Sequence, residues 1–465
     1  MQLNSPFKIT ALAFLAVCVN ACSGGVIPDL SRLYGTSELF NRSNETRVRD
    51  VQPPVILIHG AFGSRLNDRD TGEEYWPGSL WNILFSDYED IRFSIDADSL
   101  MPMTSGLIAT DVTDRVVGKD YYGAIIHTLE HAGGYMRGVP GEKQINNDRK
   151  YYMFVYDWRE DNVRSAQKLD ILIEQIRKDY ASPELKVNIV AHSMGGMITR
   201  YYLRYGGEDV LNGNDFPVNG HGFDRVNKVI LLGTPNLGSV SALVEVLQGL
   251  KVGLNRIPSH VMLTWPSTYQ LLPHPIRDSM ITLDGRTLER DFFDTETWQR
   301  FEWSIFDLQT RDLIVDEKGL DYYNLLVSYF NKQIERGRRF AWSLSVPAPE
   351  SPVRYIVFGG DCELTPARLL VEEVEGISMV RLFPDDIEKP ISGVDYEMLM
   401  LEPGDGRVTK PSLFARDALD PTTPRHRYSH FPLDYSMMLC ESHDTLTGNI
   451  HFQDNLLNIL LSNDK

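Results

Sequence analysis

Short, mostly apolar runs recur along the chain, each closed by turn-forming residues: Val55–Ile58, Tyr151–Tyr156, Val187–Val190 and Lys228–Leu232. Apolar runs this short, without polar alternation, predict strands buried on both faces, the strand type of parallel sheets. Between the second and third runs the period changes. Residues 162–180 place Val163, Ala166, Leu169, Leu172, Ile173, Ile176 and Tyr180 at the helical repeat, so they predict one amphipathic helix, with Asp161 or Asn162 able to cap its start. Met197, Ile198, Tyr201 and Tyr202 repeat in the same way after the third run. Buried strands alternating with helices predict an α/β fold: a mostly parallel central sheet with helices on both faces.

Two stretches break the rhythm. Residues 61–105 mix acidic positions with Tyr75, Trp76, Trp81 and Phe85, and predict a lid-like excursion within the core. Residues 238–345 are dense in Trp, Tyr, Phe and charge, and predict a mainly helical cap inserted in the sheet. Strands are expected again at Val353–Phe358 and Tyr396–Leu401, and a final helix at His451–Leu461. The core is then 51–237 together with 346–465, one large domain with insertions.

Composition changes the picture in one respect. The 465 residues carry a net charge of −18, with no basic patch dense enough to grip phosphates, so nucleic acid is excluded as a partner. The same charge gives no pull toward anionic membranes. Any membrane attachment must therefore be apolar or covalent, and the N-terminus offers one. Lys8 precedes an apolar run from Ile9 to Val19, too short to span a bilayer, followed by Ala21-Cys22-Ser23. Residues 1–21 predict a signal peptide and 22–50 a polar tether. Cys22 sits where a bacterial lipobox cysteine is lipidated, which predicts an exported lipoprotein at the outer membrane or cell surface; simple secretion is the alternative. With Cys18 removed in the leader and Cys22 carrying lipid, Cys362 and Cys440 remain, as a disulfide pair permitted by export or as two buried thiols.

The chemistry starts at Ala191-His192-Ser193-Met194-Gly195. A serine on a tight strand-to-helix turn projects its hydroxyl from the backbone, and the flanking positions must be small because strand and helix nearly touch. Such a nucleophile needs a base, an acid to orient it, and donors for the oxyanion. Gly404-Asp405-Gly406 supplies a sharply turning loop with a carboxylate. Cys440-Glu441-Ser442-His443 supplies a histidine on a loop before the last helix, with His430 and His451 as rivals. The oxyanion donors are expected from the backbone of Met194 and of Ala61, with Phe62 as an alternative to Ala61. No cofactor or metal is implied. The acidic cluster Asp68, Asp70, Glu73 and Glu74 could hold Ca²⁺ but is more simply a solvated loop.

Together these segments resemble the lecithin:cholesterol acyltransferase family of the α/β-hydrolases. Pro54-Val55-Ile56-Leu57-Ile58-His59-Gly60 is similar to its opening strand and turn, with His59 where the family has Pro. Tyr156-Asp157-Trp158-Arg159 matches a distinctive motif, and Ala191–Gly195 matches its Gly-His-Ser-x-Gly with Ala at the first position. Leu232-Gly233-Thr234-Pro235 with Gly238-Ser239, and Gly404-Asp405-Gly406-Arg407-Val408, follow two further motifs. The cysteines that pin the family's lid after the first strand are missing. The resemblance implies an acyl transfer enzyme acting on a lipid ester, and strengthens Asp405 as the acid. Tyr156–Arg159 is expected to be an Asp–Arg and Trp packing cluster. An esterase or amidase for soluble substrates, and an idle binding protein on the same scaffold, are the competing readings. The sequence carries no signal of oligomeric state.

Overall fold

The computed structural model of the chain describes residues 52–79, 86–113, 115–116, 119–146, 148–415 and 433–461. Cys22, His430, Trp81 and Phe85 lie outside these residues, as do the expected signal peptide and tether.

The central sheet has seven strands: β1 (Val55–Ile58), β2 (Met136–Arg137), β3 (Lys150–Phe154), β4 (Val187–His192), β5 (Val226–Leu232), β6 (Arg354–Gly360) and β7 (Leu433–Leu439). They lie in the order β7-β6-β5-β4-β1-β3-β2, and every neighbouring pair is parallel. This is the expected α/β-hydrolase architecture. The apolar runs lie in β1, β3, β4 and β5 because each must be covered twice. Ile56, Ile58, Ile189, Val229 and Leu231 point into one core with the helices α1 (Asn162–Asp179) and α2 (Met194–Tyr205). Their neighbours Val55, Leu57, Val190, Ile230 and Leu232 enter a second core, with Tyr122, Ile125 and Leu129 and with the C-terminal helix 450–461. Asp161 caps α1 by accepting the Val163 N–H.

Residues 238–345 hold α3 (Val240–Gln248), α4 (Leu308–Lys318) and α5 (Leu320–Ser345), with short helices and a hairpin between them. The last turn of α5 is tied to the helix after the serine. Arg200 donates to the Leu344 carbonyl at 2.7 Å, and Arg204 and Tyr205 donate to that of Ser343 at 2.9 and 2.7 Å. Carbonyls at a helix C-terminus lack intrahelical partners, and these buried donors supply them. The excursion after β1 includes an antiparallel sheet of Ser64–Asp68, Glu74–Trp76 and Leu107–Val112.

One expected strand is a helix. Tyr396–Met400 coils because Asp395 caps it, accepting the Met398 N–H at 3.0 Å. Only Leu401–Gly404 is extended, and it pairs antiparallel with Glu363–Pro366, outside the central sheet. The last central strand is instead β7, in a stretch with no expected strand. The C-terminal helix, α6 (Ile450–Leu461), stands where it was expected.

Candidate active site

Ser193 follows β4 and starts α2 with φ 54° and ψ −126°. That left-handed conformation is unfavourable for serine and is imposed from both sides. The Ser193 N–H donates to the Leu232 carbonyl of β5 at 2.8 Å. Gly195 lies so close to the turn after β1 that a Cβ there would come within 2.5 Å of the His59 carbonyl oxygen. The small residues around the serine therefore answer a real close approach.

Asp405 lies beyond Gly404 and is 2% exposed. One carboxylate oxygen accepts the N–H groups of Arg407 and Val408 at 3.0 and 2.7 Å; the other accepts from His443 Nδ1 at 2.8 Å. Burial is the strongest single influence on this carboxyl and pushes its pKa up. The His443 ring and the two backbone donors together outweigh it, so the net shift is downward and the group is held as a carboxylate. His443 follows β7 on a short turn, and its backbone N–H donates to the Asp405 carbonyl at 2.9 Å. With Nδ1 donating to Asp405, Nε2 is left to accept from the Ser193 hydroxyl, 3.0 Å away. The three expected residues thus form one hydrogen-bonded line, drawn from positions up to 250 residues apart. His451 lies exposed on α6.

Met194 is the first residue of α2, so its N–H has no carbonyl partner within the helix. Ala61 sits in the turn after β1 and lines the same cavity as Ser193. This cavity, about 390 Å³, is walled largely by apolar groups, among them Phe62, Trp76, Leu250, Val252 and Leu271. Its charged rim includes Arg407, paired with Glu245 and 3.5 Å from Asp444. Gly233 packs against the acid and base: a Cβ there would meet the Asp405 carboxylate at 2.9 Å and the His443 ring at 3.0 Å.

The Tyr156–Arg159 motif forms the expected packing cluster. Arg159 holds Asp157 through two bonds, at 2.9 and 2.6 Å, and both are buried. Trp158 packs against Phe62, Trp76 and Trp265, the first two being cavity walls. The acidic cluster is used internally: Asp68 accepts from the N–H groups of Asp70 and Thr71, and Glu74 pairs with Arg65. Among the described residues no group of three or more His, Cys, Asp or Glu side chains is arranged to hold a metal. Sequence reasoning passed over Tyr122, which no motif marks. It also took His192 only as part of the serine motif; both prove to be buried beside the triad.

Comparison with known proteins bears on a part of the chain. Residues 139–331, which include Ser193 but neither Asp405 nor His443, match the family model described as lecithin:cholesterol acyltransferase. Lecithin-cholesterol acyltransferase-like 4 of Arabidopsis thaliana is 30% identical over 192 residues, 36% of this chain and 33% of that protein. The match therefore spans about a third of the relative's length. A chain in the crystal structure of the Tle4-Tli4 complex superposes with a TM-score of 0.52 at 15% identity, over 88% of this chain and 98% of that one. That likeness shows a shared fold.

Proposed function

We propose that this chain, with its α/β-hydrolase fold and its lecithin:cholesterol acyltransferase segment, moves acyl groups from lipid esters through a covalent acyl-serine. The observation that carries this reading is the Asp405–His443–Ser193 line opening onto a mainly apolar cavity. Ser193 Oγ attacks the ester carbonyl carbon while His443 Nε2 takes the hydroxyl proton. Asp405 stays ionised and steadies the imidazolium. The N–H groups of Ala61 and Met194 hold the oxyanion. The bond to the leaving alcohol breaks, and His443 returns its proton to that alcohol's oxygen. Water or a lipid alcohol then enters and gives its proton to His443 as its oxygen takes the acyl group; the acyl–Ser193 bond breaks and His443 returns the proton to Ser193 Oγ. The apolar wall favours a lipid ester over a small soluble one, and the assembled triad favours an enzyme over an idle binding protein.

The test is Ser193→Ala. Turnover of a long-chain ester should fall by several orders of magnitude and labelling by a fluorophosphonate should vanish, with the fold intact by circular dichroism. Labelling undiminished in this variant overturns the reading. Products from phosphatidylcholine vesicles, with and without a sterol or diacylglycerol, then tell hydrolysis from transfer. The Ala21-Cys22-Ser23 sequence supports attachment of this enzyme to a membrane through lipid on Cys22, outside the cytoplasm.

A further inference from the structure

A buried chain of hydrogen bonds joins the turn after β1 to the loop after β7. The Gly60 N–H donates to the Tyr122 hydroxyl oxygen at 2.8 Å. The Tyr122 hydroxyl lies 2.9 Å from His192 Nδ1, and His192 Nε2 lies 3.1 Å from the His443 carbonyl oxygen. A carbonyl can only accept, so Nε2 carries the proton and Nδ1 accepts from the tyrosine. The relay therefore runs one way: Gly60 to Tyr122 to His192 to His443. One end is the residue before Ala61. The other is the backbone of the triad histidine, whose N–H is already held by Asp405. Tyr122 and His192 are 5% and 8% exposed, so the chain of bonds is largely shielded from bulk solvent. Donating and accepting at once requires a neutral ring. Burial pushes the His192 pKa down to about 3 and keeps the ring neutral, and the neighbouring His443 ring acts in the same direction.

We propose that Tyr122 and His192 are positioning residues for acyl transfer: they form a rigid bridge that sets the spacing between the oxyanion turn and the base. The proposal rests on the roles given above to Ser193, His443 and Ala61. Attack on the ester requires the donor at Ala61 and the base at His443 to be in place together, and a displacement of about 1 Å in such a geometry can cost on the order of 100-fold in rate. The ends of the bridge bond to the backbone of the two loops, the Gly60 N–H and the His443 carbonyl, and not to the Ser193 hydroxyl or to the His443 Nε2 that faces it.

Tyr122→Phe removes one oxygen and keeps the ring. Its kcat and its rate of fluorophosphonate labelling should fall together, by about 10- to 100-fold, with KM changed less than about twofold. Rates are read well below the unfolding midpoint, so that only folded protein is compared. His192→Gln, which keeps an N–H to offer the His443 carbonyl, should retain far more activity than His192→Leu. Tyr122→Phe added to His192→Leu should cost little more than His192→Leu alone, because the relay is already cut. If Tyr122→Phe does not fold, the two His192 variants decide. Wild-type labelling by Tyr122→Phe, or equal rates for His192→Gln and His192→Leu, overturns the bridge while leaving the triad reading in place. Labelling that survives Ser193→Ala overturns the triad reading itself.

Discussion

His443 is fixed at three points: its N–H and its Nδ1 by Asp405, and its carbonyl by His192. Only Nε2 is left for the serine, so a change at the acid should act through the base. Asp405→Asn and His443→Ala should each lower turnover at least ~10³-fold, and the double variant should lose little beyond the worse single one. Steady-state kinetics on a soluble ester checks this, and additive losses would separate the two residues. The neighbouring histidines make a prediction about pH. Burial pushes His59 down to about 4 and His192 to about 3, from an ordinary value of 6.5. Below about pH 6.5 the unfolded chain takes up protons that the folded chain refuses until pH 4 or 3. Stability should therefore be full on the neutral side and fall as the pH drops from about 6.5, by up to ~1.4 kcal/mol per pH unit for each histidine. Urea unfolding at pH 7 and pH 5 measures the loss, which should be smaller in His59→Gln; an equal loss refutes it. At this scale the sequence was readable where chemistry leaves a local mark. Glycines beside Asp405 and small residues around Ser193 are such marks. Tyr122 has none, because its partners lie 62 and 70 residues away.

Among the elements, the strands buried on both faces were readable from their apolar runs. Both errors come from taking an apolar run as the mark of a strand, and each has its own physical reason. Tyr396–Leu401 is as apolar as a buried strand, but the capping Asp395 starts a helix. β7 is an edge strand, with Asp434, Tyr435 and Ser436 exposed, so it lacks the apolar run by which the others were found. What holds this edge is partly covalent. Cys362, two residues past β6, and Cys440, one past β7, form a disulfide with Cα atoms 5.0 Å apart. Since Cys440 lies three residues before His443, reduction should loosen the base loop before the core. Mild reductant should lower esterase activity at concentrations that leave the urea midpoint nearly unchanged. Full activity in a protein whose two thiols are shown free by alkylation would rule out that role.

For the whole molecule, charge and shape point the same way. A chain with net charge −18 gains nothing electrostatically from an anionic bilayer, and among the described residues no helix is long and apolar enough to cross one. On the proposed chemistry, the substrate lies in a lipid surface. Lipid on Cys22 would supply the missing attraction. Cys22→Ser should then move the protein from the membrane fraction to the soluble exported fraction; retention in the membrane would assign the anchoring to another part of the chain.

The order of the triad along the chain has a consequence in time. Ser193 leaves the ribosome 250 residues before His443, an interval of about 10–50 s at ordinary elongation rates. Throughout that interval the nucleophile has no base; its acid, Asp405, is made 38 residues before His443, and β7, the strand that leads to the base, only at the very end. On the proposed chemistry, a newly made chain cannot attack the ester bonds of the cell that makes it until its last strand has docked. Late arrival of the base thus defers activity until the chain is nearly complete.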